Sequence, residues 1–280
     1  MTSTTPAQHA IRTDRVRLLL FVERNPSTTF EEFVKYWREE YAPAFTSTTI
    51  AKKNLLRYEQ VCRPLSPHKV PHVENSLGLE QMVLDQESKV KMQQLGAKII
   101  ECDGVAVLEG ESVEKLVQLF SDEEYIEKVA PLADKAFNLK SSRYAFYHPA
   151  PIVYTKPASE GKGVRMLAFL KRKEGSTFEE YTRHWIDKHS YLIADFPGFR
   201  DVIGLYEQLH LIQDGVLPGS ANQEDRWDGV AFLDADSLES FAAKMMDDSF
   251  VRVRVEDENR FLEIPESQAL PVFVSTLIDS

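Results

Sequence analysis

The chain has two cysteines in 280 residues, Cys62 and Cys102, too few for a disulfide framework. Two unpaired thiols of a reducing compartment are the expectation, with a meeting of the two across the segment between them as the alternative. No apolar run approaches the ~20 residues that span a bilayer. The stretch Met1 to Ala10 lacks the apolar core of a secretory signal. Positive charge is scarce as well. Lys and Arg number 33 against 44 Asp and Glu, for a net charge of −11 and a pI near 5.2. Nucleic acid and anionic membranes, which need clustered positive charge, are therefore not expected as partners. Glycine-rich phosphate loops, dinucleotide fingerprints and Gly-x-Ser-x-Gly elbows are missing. No Cys/His cluster has zinc spacing. His68 and His72 lie four apart, but Pro67 and Pro71 forbid the helix that would bring them together. These absences lead to the expectation of a cytoplasmic protein that binds no metal and carries no cofactor.

What the chain does have is the same unit twice. Residues 17–60 align with 165–208 without a gap, at an offset of 148, with about a dozen identities. Arg17 and Phe21 return as Arg165 and Phe169, Thr29-Phe30-Glu31-Glu32 as Thr177-Phe178-Glu179-Glu180, Trp37 as Trp185, and Tyr58-Glu59-Gln60 as Tyr206-Glu207-Gln208. Further on, Asp103-Gly104-Val105-Ala106 returns as Asp228-Gly229-Val230-Ala231, at an offset of 125. Copy one therefore carries an insertion of about 23 residues between Gln60 and Asp103. Leu77 to Leu95 reads as an added helix within it, closed by Gly96.

Each copy reads as strand, helix, strand, strand, helix, strand. Val16 to Val22 is nearly continuous in apolar residues, as suits a strand buried on both faces. Thr29 with Glu32, and Thr177 with Glu180, form capping boxes that start the first helices. Phe178, Tyr181, Trp185, His189 and Leu192 follow helical spacing and are predicted to share one face. The order βαββαβ is the ferredoxin-like split motif. A four-stranded sheet with helices on one side leaves its other side bare. The fold expected is α+β, with two tandem ferredoxin-like units packed sheet to sheet as a barrel within one chain. The expected divisions are a disordered tail (1–14), copy one (15–154, with its insertion at about 62–102), a linker (155–163) and copy two (164–280).

The run Phe169-Leu170-Lys171-Arg172-Lys173-Glu174-Gly175-Ser176-Thr177-Phe178-Glu179-Glu180-Tyr181, followed by His184-Trp185 and Lys188-His189, resembles the EthD family of the dimeric α/β-barrel superfamily. Copy one resembles it in degraded form. Tyr41 stands where copy two has His189, although Pro43 is kept; copy two has Tyr191 where the family often has proline. The resemblance implies a small, often cofactor-independent pocket between sheet and helices. It points to cyclases, decarboxylases, isomerases and anthrone-type oxygenases, and to haem-binding relatives. A tandem chain of this kind is similar to tailoring proteins of fungal secondary metabolism.

His189 is the first candidate for catalysis, because imidazole suits proton transfer near neutral pH. The alternative for it is a structural cap of a helix C-terminus. Tyr206 and Tyr58, at matched strand positions, are candidates to hold a developing enolate oxygen. Tyr41, His184, Trp185, Trp37, Phe169 and Phe21 are candidate substrate-binding residues. The expected function is cofactor-independent proton-transfer chemistry (cyclisation, dehydration or decarboxylation) on a small hydrophobic oxygenated metabolite resembling an aromatic polyketide. Two alternatives stand beside it: a haem- or oxygen-using oxidoreductase with His189 or His184 as axial ligand, and a non-catalytic metabolite-binding protein. The two copies would form a pseudo-dimer within the chain, with a homodimer as a further option.

Overall fold

The computed structural model describes residues 9–62, 98–100, 102–139, 141–154, 164–217 and 226–279. The added helix at 77–95, the pair His68 and His72, and the linker 155–163 lie outside these residues. His9 to Asp14, the far end of the expected tail, are described and rest on the body of the protein: the Arg12 amide donates to the Pro149 carbonyl at 2.8 Å.

Among the described residues nine strands form: β1 (Val16–Val22), β2 (Arg57–Cys62), β3 (Lys98–Ile99), β4 (Gly104–Gly110), β5 (Arg143–Tyr154), β6 (Val164–Leu170), β7 (Ile203–Leu211), β8 (Gly229–Ala235) and β9 (Gln268–Asp279). Copy one has the sheet order β2-β4-β1-β5, and copy two repeats it as β7-β8-β6-β9. The last strand of each copy is twelve residues long, because it serves both sheets. β5 pairs with β1 through Arg143–Tyr147 and then with β7 through Tyr147–Tyr154. β9 pairs with β6 and then with β2. These two joints close eight antiparallel strands into a ring, with β3 added parallel to β9. Closure leaves neither copy with an open inner edge.

Alternation along the strands sends one set of side chains into the ring and the other toward the helices. In β1, Leu19 and Phe21 face inward and Leu18 faces the helices; in β6, Leu167 and Phe169 face inward and Met166 faces out. Phe21 and Phe169 meet near the pseudo-two-fold axis, ring centroids 5.4 Å apart, both against Trp227.

The interior is not purely apolar. Arg17 pairs with Glu109 of its own copy at 2.6 Å and with Glu207 of the other. Arg165 repeats this with Asp234 at 2.6 Å and Glu59 at 2.7 Å, and Arg57 adds a second cation to Glu59 at 2.7 Å. Each of Arg17 and Arg165 thus ties the two copies together. Burial pushes the Glu59 carboxyl upward, but Arg165, Arg57 and Arg17 outweigh burial and hold it below the usual carboxylate value. A carboxyl depressed in the folded state contributes stability above its unfolded pKa and loses it as pH falls through the folded one. The thermal midpoint is therefore expected to fall as pH drops below about 4. A midpoint that stays flat from pH 6 to pH 3 would contradict this.

The helices pack on the outside of the ring. Both capping boxes form, with the Thr29 and Thr177 hydroxyls accepting from Glu32 and Glu180 amides. After Phe30–Tyr36 and Phe178–His184, both copies pass into a single π turn, Trp37–Tyr41 and Trp185–His189. The Trp185 carbonyl accepts from the amide of Ser190, five residues on. The wider turn shifts the phase of the next helical turn, so Ile193 is buried and Leu192, predicted on the buried face, is exposed. Trp37 and Trp185 pack closely on the glycines that open β4 and β8; a Cβ at Gly104 would come within 2.6 Å of Trp37 Cζ3. The repeated Asp-Gly-Val-Ala thus keeps its glycine to seat a tryptophan. The acidic segments Ser121–Glu124 and Asp247–Asp248 start helices. Asp122 and Asp247 cap Glu123–Lys128 and Asp248–Phe261. Among the described residues no helix is long and apolar enough to cross a membrane.

Candidate active site

Each copy holds a cavity at the same place, between the outer face of its sheet and its helices. The one in copy one is about 300 Å³, walled by Trp37, Tyr41, Phe45, Tyr58, Tyr125 and Phe137. The one in copy two is about 160 Å³, walled by Trp185, His189, Phe199, Tyr206, Phe250 and Leu262, among others.

In copy two the π turn carries His189 to the cavity wall, buried at 6% exposure. Its Nδ1 lies 2.9 Å from Asp257 Oδ2. The other oxygen of Asp257 is 2.9 Å from Nε2 of His184, whose ring stacks on Phe261. One carboxylate thus takes a hydrogen from each of two imidazoles. Burial works to raise the Asp257 carboxyl, but hydrogen bonds from His189 and His184 prevail and hold it below its ordinary value. With the hydrogen of His189 fixed on Nδ1, the lone pair is left on Nε2 of a ring that lines the cavity. This is how an imidazole is readied as a base.

A second chain of bonds orients Tyr206. His210 donates to Gln208 Oε1 at 3.2 Å, which fixes the amide; Gln208 Nε2 then donates to the Trp185 carbonyl at 3.1 Å and to the Tyr206 hydroxyl at 2.9 Å. Burial, reinforced by His148, pulls His210 down to about 3, so it stays neutral and holds this tautomer. Burial raises Tyr206 well above the ordinary phenol range, so its hydroxyl keeps a hydrogen to give toward the cavity. Gln60 makes the matching bonds to Trp37 and Tyr58 in copy one, but its Oε1 has no partner among the described residues; in the sequence Cys62 takes the position of His210.

The second helices extend the comparison. The Arg172–Leu262 bridge repeats Arg24–Phe137, so the offset of 125 holds along them. Leu132 then stands for Asp257, Val129 for Arg254 and Ala133 for Glu258, while Tyr41 and Tyr36 stand for His189 and His184. Copy one has none of these five polar groups that copy two places at its cavity or directly behind it.

The structure brings together His189, Trp185 and Tyr206 at one cavity, and Tyr41, Trp37 and Tyr58 at the other. His184 stands behind Asp257 and outside the cavity wall. Phe169 and Phe21, expected to wall a site, face into the ring on the opposite side of the sheet, since strand parity separates them from Ala168 and Leu170. Sequence reasoning missed Asp257, Arg254 and Glu258. Their helix alternates Val251-Arg252-Val253-Arg254-Val255, which hides the helical period. The matched caps Asp122 and Asp247 were the available signal. Among the described residues no group of three or more His, Cys, Asp or Glu side chains is placed to hold a metal ion.

Solved structures share this architecture at low identity. A candidate monooxygenase from Fusobacterium nucleatum superposes with a TM-score of 0.55 at 5% identity, over 94% of this chain and 93% of that one. An anthrone oxidase-like protein gives 0.51 at 11%, over 97% and 94%. A candidate monooxygenase from Lactobacillus acidophilus gives 0.50 at 10%, over 95% and 97%. These likenesses establish the fold. No curated protein matches the sequence. The model of the EthD domain matches residues 25–136 and 173–265, a stretch in each copy and more than half of the chain together, and the protein belongs to the EthD family.

Proposed function

We propose that the protein is an enzyme of proton transfer at carbon, acting in the copy-two cavity on a small hydrophobic carbonyl compound of aromatic-polyketide type. The observation that carries this reading is the His184–Asp257–His189 constellation, which leaves the lone pair of His189 on Nε2 beside a largely apolar cavity and is replaced throughout in copy one. Nε2 of His189 takes a proton from a carbon beside the carbonyl. The pair of electrons moves into the enolate, and Tyr206 donates to the oxygen on which charge develops. Asp257 holds the ring in its tautomer and balances the imidazolium. The apolar walls keep bulk water from competing. Cyclisation, dehydration and decarboxylation each use an enolate or enol of this kind.

A second reading keeps the same first step and adds dioxygen to the carbanion; the anthrone oxidase-like neighbour favours it. Haem fits the described residues less well. The cavity before His189 is about 160 Å³, small beside the roughly 300–1,000 Å³ of ordinary ligand sites. Its one arginine is already held by a glutamate.

The test is hydrogen exchange in D₂O on 2-tetralone, a bicyclic ketone with acidic carbon-bound hydrogens, followed by NMR. The expected result is exchange above the buffer rate that depends on His189. Binding without exchange would make the protein a carrier. Exchange persisting unchanged in a His189→Ala protein would remove the assignment. Oxygen uptake on the same substrate separates the second reading from the first.

A further inference from the structure

Arg254 and Glu258 are the one charged pair at the copy-two cavity, and the proton transfer to His189 does not engage them. They are the only Arg, Lys, Asp or Glu among the described residues lining it. Arg254 Nη1 donates to both oxygens of Glu258, at 3.0 and 2.9 Å, with the two side chains 21% and 15% exposed. Nη2 of Arg254 meets no acceptor among the described residues, and its Nε is buried without a partner. A guanidinium offers five donors in a planar fork, and here most of them are unspent.

Stability does not account for this pair. An i,i+4 ion pair contributes little where it is wet, and where it is buried the desolvation penalty offsets the attraction. An occluded donor without a partner adds a further cost. Copy one dispenses with both groups, having Val129 and Ala133 at these positions, and still builds its cavity. The charged pair is kept in the half that keeps the imidazoles. Arg254 also lies on the same helix as Asp257, three residues earlier, so the cation and the base-holding carboxylate are set by one rigid element.

The geometry points to Arg254 as the recognition site for the carbonyl oxygen of the substrate, with Glu258 as its counter-ion. This assignment rests on the proton-transfer reading for its chemical sense, and names the substrate class: apolar ketones whose oxygen sits on the guanidinium while the carbon beside it meets His189. Glu258 neutralises most of the charge of Arg254 in the resting site, so a full carboxylate is not favoured as the resting ligand. A neutral carbonyl is accepted. When its carbon loses the proton, charge moves onto the oxygen, and the guanidinium attracts it more strongly than it attracted the ketone. The interaction thus grows along the reaction, which is the requirement for catalysis and not for binding alone. The step balances within the site: the C–H pair becomes the C=C bond of the enolate, the C=O pair goes to oxygen beside Arg254 and Tyr206, and the proton resides on Nε2 until it returns.

The experiment compares 2-tetralone with tetralin, the same bicycle without oxygen, by calorimetry. Wild-type protein is expected to bind the ketone about 10-fold more tightly, the worth of one charge-assisted hydrogen bond. Arg254→Met, which keeps an unbranched apolar stem and removes the guanidinium, should bring the two probes within about twofold of each other while tetralin binding stays. Arg254→Lys should restore part of the preference, and Glu258→Gln, which removes the neutralising charge, should enlarge it. A purely structural pair would lose binding of both probes in either variant. The assignment is overturned if wild-type protein binds the probes equally or binds neither, or if Arg254→Met keeps the full preference. The His189 reading is tested apart from this. A His189→Ala protein that keeps the preference for ketone but has lost exchange supports both, and one that still exchanges removes the base without touching the oxygen site.

Discussion

An Asp257→Asn protein is expected to exchange the acidic hydrogens of 2-tetralone about 10²–10⁴-fold more slowly than wild type, with the affinity for the ketone little changed. The shape of the side chain is preserved, so the fold and the cavity should persist. What changes is the hydrogen on His189. Asparagine presents an oxygen to one ring and an amide N–H to the other. Where the amide faces Nδ1 of His189, the ring must carry its hydrogen on Nε2, and the lone pair at the cavity is gone. His189→Ala should lose about as much, and the double variant little more, because groups acting as one unit do not add. Exchange within threefold of wild type in Asp257→Asn would mean that the carboxylate is structural.

The largest effect on stability is expected at Arg165. Arg165→Met removes the cation shared by Asp234 and Glu59 at a buried site, where Glu59 keeps only Arg57 of its two cations. Loss of one partner of a buried pair costs about 3–5 kcal/mol. Urea unfolding should show this as a lower midpoint at unchanged slope. Adding Glu59→Gln and Asp234→Leu should recover much of the loss, because the buried carboxylates that faced Arg165 are then gone. Arg17→Met is expected to behave the same way through Glu109 and Glu207. A single variant as stable as wild type would show that water reaches the network.

Much of the fold was legible because it was written twice. The repeat marked the strands, the capping boxes placed the first helices, and the βαββαβ order gave the barrel. Local pattern did not carry the rest. Nothing near Val153 or Ser275 says that the last strand of each copy runs on to pair with the other copy, since the partner residues are far away in the chain. The π turn leaves no mark in the apolar spacing either; Leu192 fitted the stripe and is exposed, because the extra residue in the turn rotates it outward. At the site, His189 was readable from its residue type and from the contrast with Tyr41. Asp257 was not, since a carboxylate among Glu256, Glu258 and Arg260 looks like any solvated helix face. Phe169 was misplaced by one strand parity, a choice the sequence leaves free when a strand is buried on both sides.

The joints β5–β7 and β9–β2 and the crossed arginine pairs have a consequence for how the molecule can be divided. Either half expressed alone would present two raw strand borders, an arginine deprived of its foreign glutamate, and a glutamate deprived of its foreign arginine. On the proposed reading, the half that bears the imidazoles therefore does not make a minimal catalyst. It depends on its sibling for its shape, and that dependence gives selection a reason to retain a copy without the His–Asp–His constellation.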